Sequence, residues 1–183
     1  APYAGTVTLT RTGNFQRLSK GNGDVTATVF LNEDVLKQND GTAAQWIFGK
    51  GENWNDGPNR KYEITDVKVN AGDWIYHVAD CGVNNASPII QWQPMITYTE
   101  LKSDDKPETT PEPDEPEKPE EPTPLAEFKM VDDIKASDQQ GYNGWHYMYK
   151  TNTGYVDMTT RTSDDGGKWK EGDNWVNFFQ VQA

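Results

Sequence analysis

The sequence predicts an all-β protein, and three observations carry that prediction. Short apolar runs alternate with polar residues at a period of two, which is typical of strands with one buried face. Almost no segment has the 3.6-residue period of a helix. Clusters of Gly, Asn and Asp separate the runs and supply turns. We therefore expect an antiparallel β-sandwich.

The first half of the chain accounts for six of the predicted strands. Residues 24–32 (DVTATVFLN) show the clearest alternation, with Val25, Ala27, Val29 and Leu31 on one face. The other strands are predicted at residues 6–10, 45–48, 61–69, 73–79 and 89–99, the last interrupted by Pro94. Residues 33–38 are the one place where we predict a short helical turn.

The carboxyl-terminal part adds four predicted strands. They fall at residues 126–131, 145–150, 154–158 and 174–181, and turn residues separate them. Four strands in this short stretch are close to the lower limit for a self-sufficient core. The second part therefore looks incomplete when taken alone.

A segment that cannot pack divides the two parts. Residues 103–124 contain seven prolines, nine acidic residues and two lysines, and no apolar side chain. Such a composition predicts a solvated, flexible linker. We therefore divide the chain into a β segment at residues 1–102, the linker at 103–124 and a second β segment at 125–183.

Charge excludes several classes of partner. The net charge is −12, and the linker carries seven of those negative charges. Without a basic cluster, binding to nucleic acid or to an anionic membrane is not expected. No run approaches a membrane span, and the amino end lacks signal-peptide features, as expected of a mature or excised chain. The polar composition with its Pro/Glu linker is typical of an extracellular bacterial protein, secreted or attached to the cell surface.

Two passages carry a resemblance to a known class of module. Residues 140–149 (QGYNGWHYMY), with Met158-Thr159 and Lys168-Trp169-Lys170, resemble the amino-terminal half of jelly-roll modules from bacterial cell-surface and polysaccharide-degrading proteins. Residues 1–8 (APYAGTVT), 29–32, 69–75 (VNAGDWI) and 92–96 (WQPMI) resemble the carboxyl-terminal half. The two halves occur here in reversed order.

The resemblance implies a jelly-roll sandwich and a place beside other modules of a multimodular extracellular protein. The reversed order has two explanations. In a circular permutation both halves form one sandwich in cis, which is our preferred reading and predicts a monomer. Alternatively, the chain is cut from a tandem array of modules, so that each half-module needs a partner. The exposed strand edges of such halves predict strand exchange between molecules. The linker, at roughly 3.1 Å per residue in extended proline-rich chain, is long enough for the first.

Catalytic signatures are absent from the sequence, so we predict that the chain is not an enzyme. There is no phosphate-binding glycine loop, nucleophile elbow or zinc-binding helix motif. His77 and His146 fall within predicted strands and are interpreted as structural. The lone Cys81 permits no internal disulfide and is interpreted as a small buried residue.

Acidic residues outside the linker cluster in turns, where solvation is their ordinary role. Asp164, Asp165 and Asp173 offer the oxygen ligands that calcium prefers, but they do not have EF-hand spacing. We therefore predict no cofactor, with a structural calcium ion as the minor alternative.

Aromatic residues give the strongest indication of function. The chain has seven Trp and eight Tyr, more than one sandwich core readily absorbs. Flat aromatic rings stack on the C–H faces of sugars, while amides and carboxylates bind the hydroxyl groups. The predicted ligand-binding residues are Trp54, Asn55, Asp56, Trp74, Tyr76, Trp145 and Tyr147.

These residues have different alternatives. Trp54 lies in a polar loop, either as a platform or folded over the sandwich edge. Trp74 and Tyr76 alternate with Ile75 and should face outward, whereas a core position is favoured for Trp145 and Tyr147. The prediction is non-catalytic polysaccharide binding, and the alternative is a structural spacer or adhesin repeat that binds no sugar.

Overall fold

The computed structural model describes residues 1–18, 23–52, 60–80, 90–102, 125–162, 168–171 and 174–177. The chain divides into two compact units, Ala1–Glu127 and Phe128–Ala183. Antiparallel strands make up most of the described secondary structure, which confirms the all-β class. The predicted linker at residues 103–124 lies outside the described residues.

Ten strands belong wholly or partly to the first unit. They are β1 (Gly5–Arg11), β2 (Gln16–Arg17), β3 (Val25–Leu31), β4 (Asp34–Val35), β5 (Gln45–Phe48), β6 (Ile64–Val69), β7 (Ile75–Asp80), β8 (Ile90–Gln91), β9 (Pro94–Leu101) and β10 (Ala126–Lys129). One sheet has the order β10-β9-β1-β6, and β2 pairs with β8. In a second sheet, β3 pairs with β7 along one edge and with β4 and β5 along the other. We call this second sheet the β3 sheet.

Each of the two larger sheets buries one face, an arrangement compatible with a β-sandwich. In β1, Val7 and Leu9 are fully buried, and in β3 the alternate residues Val25, Ala27 and Val29 are buried as the sequence predicts. Burial of alternate residues removes one face of each strand from water and leaves the other face available.

Among its described residues, the second unit contains five further strands, one α-helix and a 3₁₀ turn at Tyr142–Gly144. β11 (Met148–Thr151) pairs with β12 (Gly154–Asp157), β14 (Lys168–Glu171) lies between β13 (Thr160–Thr162) and β15 (Asn174–Asn177), and α1 spans Met130–Ala136. Its buried core consists of Ile134, Tyr147, Met158 and Trp169. The Gln140 side chain binds the backbones of Tyr147 and Met158 through three hydrogen bonds of 2.9 Å.

Two local predictions are wrong. The helical turn predicted at residues 33–38 is replaced by β4, which pairs with the end of β3. The strand predicted at residues 126–131 ends at Lys129, and α1 follows it. Helical geometry puts Met130 and Ile134, four residues apart, on one side, where they pack into the second core. Tertiary burial therefore decides the conformation of a segment too short to show a helical period.

Candidate functional site

The β3 sheet presents a second face, opposite the buried Val25, Ala27 and Val29, which we call the outer face. Residues paired directly across antiparallel strands point to the same side of a sheet. Nine side chains therefore form three cross-strand rows: Val35–Phe30–Tyr76, Gln45–Thr28–Val78 and Ile47–Thr26–Asp80. Trp74 precedes β7 and extends the face beyond the first row, because its position alternates with Ile75.

Apolar and aromatic side chains are unusually open on this face. Trp74 is 41% exposed, Val35 is 42% exposed and Ile47 is 59% exposed, while Phe30 and Tyr76 are half-buried beside them. The rings of Trp74 and Tyr76 are nearly parallel, with an interplanar angle of 16° and centroids 6.0 Å apart. Exposed apolar groups on one sheet face are typical of interaction sites, so this face is the candidate functional surface.

The second row supplies hydrogen-bonding groups between the apolar ends. The exposed Gln45 amide donates to Thr28 Oγ1 at 3.2 Å. Thr28 itself is only 6% exposed, so its hydroxyl helps to fix the orientation of the Gln45 amide. This contact uses one of the two N–H donors of the Gln45 amide.

A side-chain network fixes the backbone on which Trp74 stands. Asn32 adopts a left-handed backbone conformation with φ of 54°. Its Oδ1 accepts a hydrogen bond from Trp74 N at 2.9 Å, and its own backbone N donates to Trp74 O at 2.7 Å. Asn32 Nδ2 also donates to Asp73 Oδ1 at 3.1 Å. Both backbone groups of Trp74 are therefore held by one residue.

The acidic member of this network is held in its ionised form. Asp73 Oδ2 accepts a hydrogen bond from the backbone N of Asn70 at 2.7 Å. This bond and the bond from Asn32 lower the pKa of Asp73, because both stabilise the carboxylate. The turn therefore keeps its geometry over the neutral pH range.

The other predicted ligand-binding residues lie elsewhere. Tyr147 is only 6% exposed and its ring stacks on Trp169 at 5.8 Å, within the core of the second unit. Trp145 is half-buried against that core, and its Nε1 donates to Asp133 Oδ2 at 2.8 Å. These positions match the core alternative for both residues. Trp54, Asn55 and Asp56 lie outside the described residues, as does Cys81.

The two histidines have structural partners. His77 Nε2 lies 2.6 Å from Tyr62 Oη, and Trp92 packs edge-on against its ring. Desolvation by these neighbours lowers the pKa of His77 to about 3, although the residue retains some solvent exposure. His77 is therefore neutral at pH 7, and in the tautomer protonated at Nδ1 its Nε2 accepts a hydrogen bond from the Tyr62 hydroxyl. In the second unit, His146 Nδ1 lies 3.1 Å from both carboxylate oxygens of Asp157.

Alternation alone does not show which way Trp46 faces. In the structure its ring lies in a cluster of aromatic rings that also contains Phe15, Tyr62, His77 and Trp92, which we call the aromatic cluster. It pairs with Ala27 on the inner side of the β3 sheet, and its ring contacts Phe15, Tyr62 and Trp92. The cluster absorbs much of the aromatic content of the first unit. Trp74 and Tyr76 are outside it.

Sequence reasoning missed part of the outer face. The alternation in β3 could have placed Thr26, Thr28 and Phe30 there, because the buried residues between them were identified. The contributions of Val35 and Gln45 depend on strand register, which connects residues far apart in the chain. A sequence pattern within one strand carries no information on that register.

Within the described part of the chain, no three His, Cys, Asp or Glu side chains are grouped as metal ligands would be. The predicted calcium alternative at Asp164, Asp165 and Asp173 lies outside that part. Among described helices, none has the length and apolar character needed to cross a membrane. No protein-family model, curated protein or solved structure matches the chain.

Proposed function

We propose that this chain is a non-catalytic polysaccharide-binding module and that the outer face of the β3 sheet is its binding surface. The observation that carries the proposal is the nearly parallel pair of exposed Trp74 and half-buried Tyr76 beside the hydrogen-bonding row of Gln45 and Thr28. Aromatic faces bind the C–H faces of sugar rings, and amide groups satisfy their hydroxyls. The Asn32 network supports this role because an aromatic side chain on a fixed backbone loses less conformational entropy on binding.

The proposal includes an architecture and a setting. The two segments are proposed to be halves of one jelly-roll sandwich in circularly permuted order, functioning as a monomer outside the cell beside neighbouring modules and without a cofactor. Within the first unit, β10 follows the linker in sequence and lies next to β9. Leu125 N also donates to Tyr98 O at 3.2 Å.

The first test is affinity electrophoresis against a panel of soluble plant, microbial and storage polysaccharides. We expect at least one polysaccharide to retard the wild-type chain. Trp74→Ala should weaken that binding about tenfold or more, because truncation of a central aromatic anchor costs about 2 kcal/mol. Tyr142→Ala is the matched control, since Tyr142 is also 41% exposed but lies in the second unit. Trp54→Ala tests the loop candidate separately.

Absence of retardation by every polysaccharide would reject the proposal. Retardation that Trp74→Ala leaves unchanged and Trp54→Ala abolishes would move the binding surface to the loop. Equal losses in Trp74→Ala and Tyr142→Ala would indicate binding without a defined aromatic platform.

A second candidate function is a surface spacer or adhesin repeat that associates with other copies. The exposure of Val35 and Ile47 favours it, because apolar side chains clustered on one face also suit protein contacts. Light scattering separates the candidates. A mass that rises with concentration in wild type and not in Ile47→Lys would support self-association, whereas a constant monomer mass would oppose it.

A further inference from the structure

The outer face has features that restrict the class of sugar polymer it can bind. We infer that it takes a stretch of several sugar residues from a neutral, extended polysaccharide lying along β3. This inference rests on the proposed function and specifies its ligand. Three properties of the face carry it: its length, the order of its side chains and its charge.

The length comes from the spacing of the rows. Successive rows are two residues apart along β3, which corresponds to roughly 7 Å in an antiparallel strand. From Trp74 to the Ile47–Thr26–Asp80 row, the face therefore extends over about 20 Å, a distance that several successive sugar rings occupy. A single sugar stacked on Trp74 would leave the Gln45 row and the exposed Ile47 without contact.

The order of side chains indicates a ligand that changes its contacts along its length. Trp74 and Tyr76 offer ring faces at one end, and the Gln45 amide, oriented by Thr28, offers hydrogen bonds in the middle. Ile47 is the most exposed apolar side chain at the other end. A polymer of sugar rings presents both C–H faces and hydroxyl edges repeatedly, so one extended chain can use all three parts.

The charge of the face disfavours an acidic polymer. Asp80 is the one charged side chain in the three rows, and Asp73 lies beside Trp74. Among the described residues, Lys37 is exposed after β4, and Arg60, which donates to Ile47 O at 2.7 Å, is paired with Glu52. Uronic-acid or sulfated polymers need several Lys or Arg side chains to replace the water around their charges. A neutral polymer carries no charge that the Asp80 and Asp73 carboxylates would repel.

The charge is tested by comparing a neutral glucan, a neutral xylan and polygalacturonate in affinity electrophoresis at low and high salt. We expect a neutral polymer to bind equally at both salt concentrations and polygalacturonate to bind weakly or not at all. Asp80→Lys should improve polygalacturonate binding at low salt. Glu63→Lys makes the same change in net charge on the chain leading into β6, and it should have no such effect.

The length is tested by calorimetric titration with oligosaccharides of increasing size from the polymer that binds. We expect affinity to rise over several sugar residues and then to level off. Gln45→Ala should lower the affinity for the longer oligosaccharides about threefold to tenfold, as the loss of one hydrogen bond does, and leave the shortest ones unaffected. Gln38→Ala is the control, because the Gln38 amide bonds to Thr42 and Ala43 in its own loop.

The outcomes separate this inference from the proposed function. Preferred, salt-sensitive binding of polygalacturonate that Trp74→Ala abolishes would overturn the neutral class and leave polysaccharide binding intact. A disaccharide that binds as tightly as the longest oligosaccharide would overturn the extended site. If neither polymer class retards the wild-type chain, the proposed function itself is rejected.

Discussion

Protonation of His77 should make the fold sensitive to mild acid. In the unfolded chain this imidazole has its ordinary pKa of 6.5, whereas desolvation lowers the folded value to about 3. The unfolded state therefore binds more protons below pH 6.5, and the stability contributed by the neutral histidine is complete above that pH. It is lost as the pH falls from about 6.5 toward 3. The free energy of unfolding should decrease throughout that interval.

The loss of unfolding free energy follows from the difference between the pH of the measurement and the pKa of His77 in the unfolded chain. At about pH 5, roughly 1.5 pH units below 6.5, the loss is about 2 kcal/mol at 1.36 kcal/mol per unit. This is an upper figure, because His77 retains some solvent exposure. The hydrogen bond from Arg60 lowers the pKa of the Glu52 carboxyl, which favours its ionised form over the pH range of the test.

The assay is urea unfolding followed by tryptophan fluorescence at several values from about pH 7.5 to about pH 5. His77→Gln is the informative variant, since its amide oxygen can still accept from Tyr62 Oη but does not titrate. Wild type should lose about 2 kcal/mol more than His77→Gln over this range. Parallel pH profiles for the two proteins would refute the reasoning, because the stability loss would then come from other groups.

Three further predictions test local packing and the site. Gly5→Ala should destabilise the chain by about 2 kcal/mol in denaturant unfolding, because a Cβ there would lie 2.1 Å from a β9 carbonyl oxygen. Gly51→Ala is the control and should be neutral, because a Cβ at Gly51 meets no atom within 4 Å. Gln140→Ala should cost about 2–3 kcal/mol by removing three hydrogen bonds, and its exposed neighbour variant Gln139→Ala should cost little in the same assay. Asn32→Gly keeps the positive φ but removes the side-chain bonds that hold the exposed tryptophan. It should weaken binding of a retarding polysaccharide severalfold, and an unchanged affinity would argue against preorganisation.

Strand positions could be predicted where alternation is strong and sustained. Residues 24–32 correspond to β3, because apolar side chains at every second position leave one arrangement that buries Val25, Ala27 and Val29 together. Residues 45–48 correspond to β5, in which Ile47 is exposed. Helix α1 could not be predicted in this way. Its seven residues begin at Met130, and the N-cap residue Lys129 makes no side-chain capping bond. Packing of Ile134 in the core of the second unit stabilises the helix. Such long-range stabilisation leaves no local pattern.

The candidate site was predictable only along single strands. Alternation with Ile75 indicated that Trp74 and Tyr76 face outward, and the structure places Trp74 at 41% exposure. The same argument favoured the core for Tyr147. It could not indicate that Gln45 and Val78 lie in one row on either side of Thr28. That arrangement follows from the separate pairings of β3 with β5 and with β7.

The positions of the aromatic residues separate a packing role from a binding role. Phe15, Trp46 and Trp92 contact one another and Tyr62 in a dense cluster, where their burial accounts for their presence. Burial gives no such account of Trp74, since more than a third of its surface is exposed and its backbone is nevertheless held by Asn32. Ordering an exposed tryptophan gives little stability by hydrophobic burial alone. The same ordering would lower the entropy lost when a ligand stacks on the ring, and this is how the Asn32 network supports the proposed function.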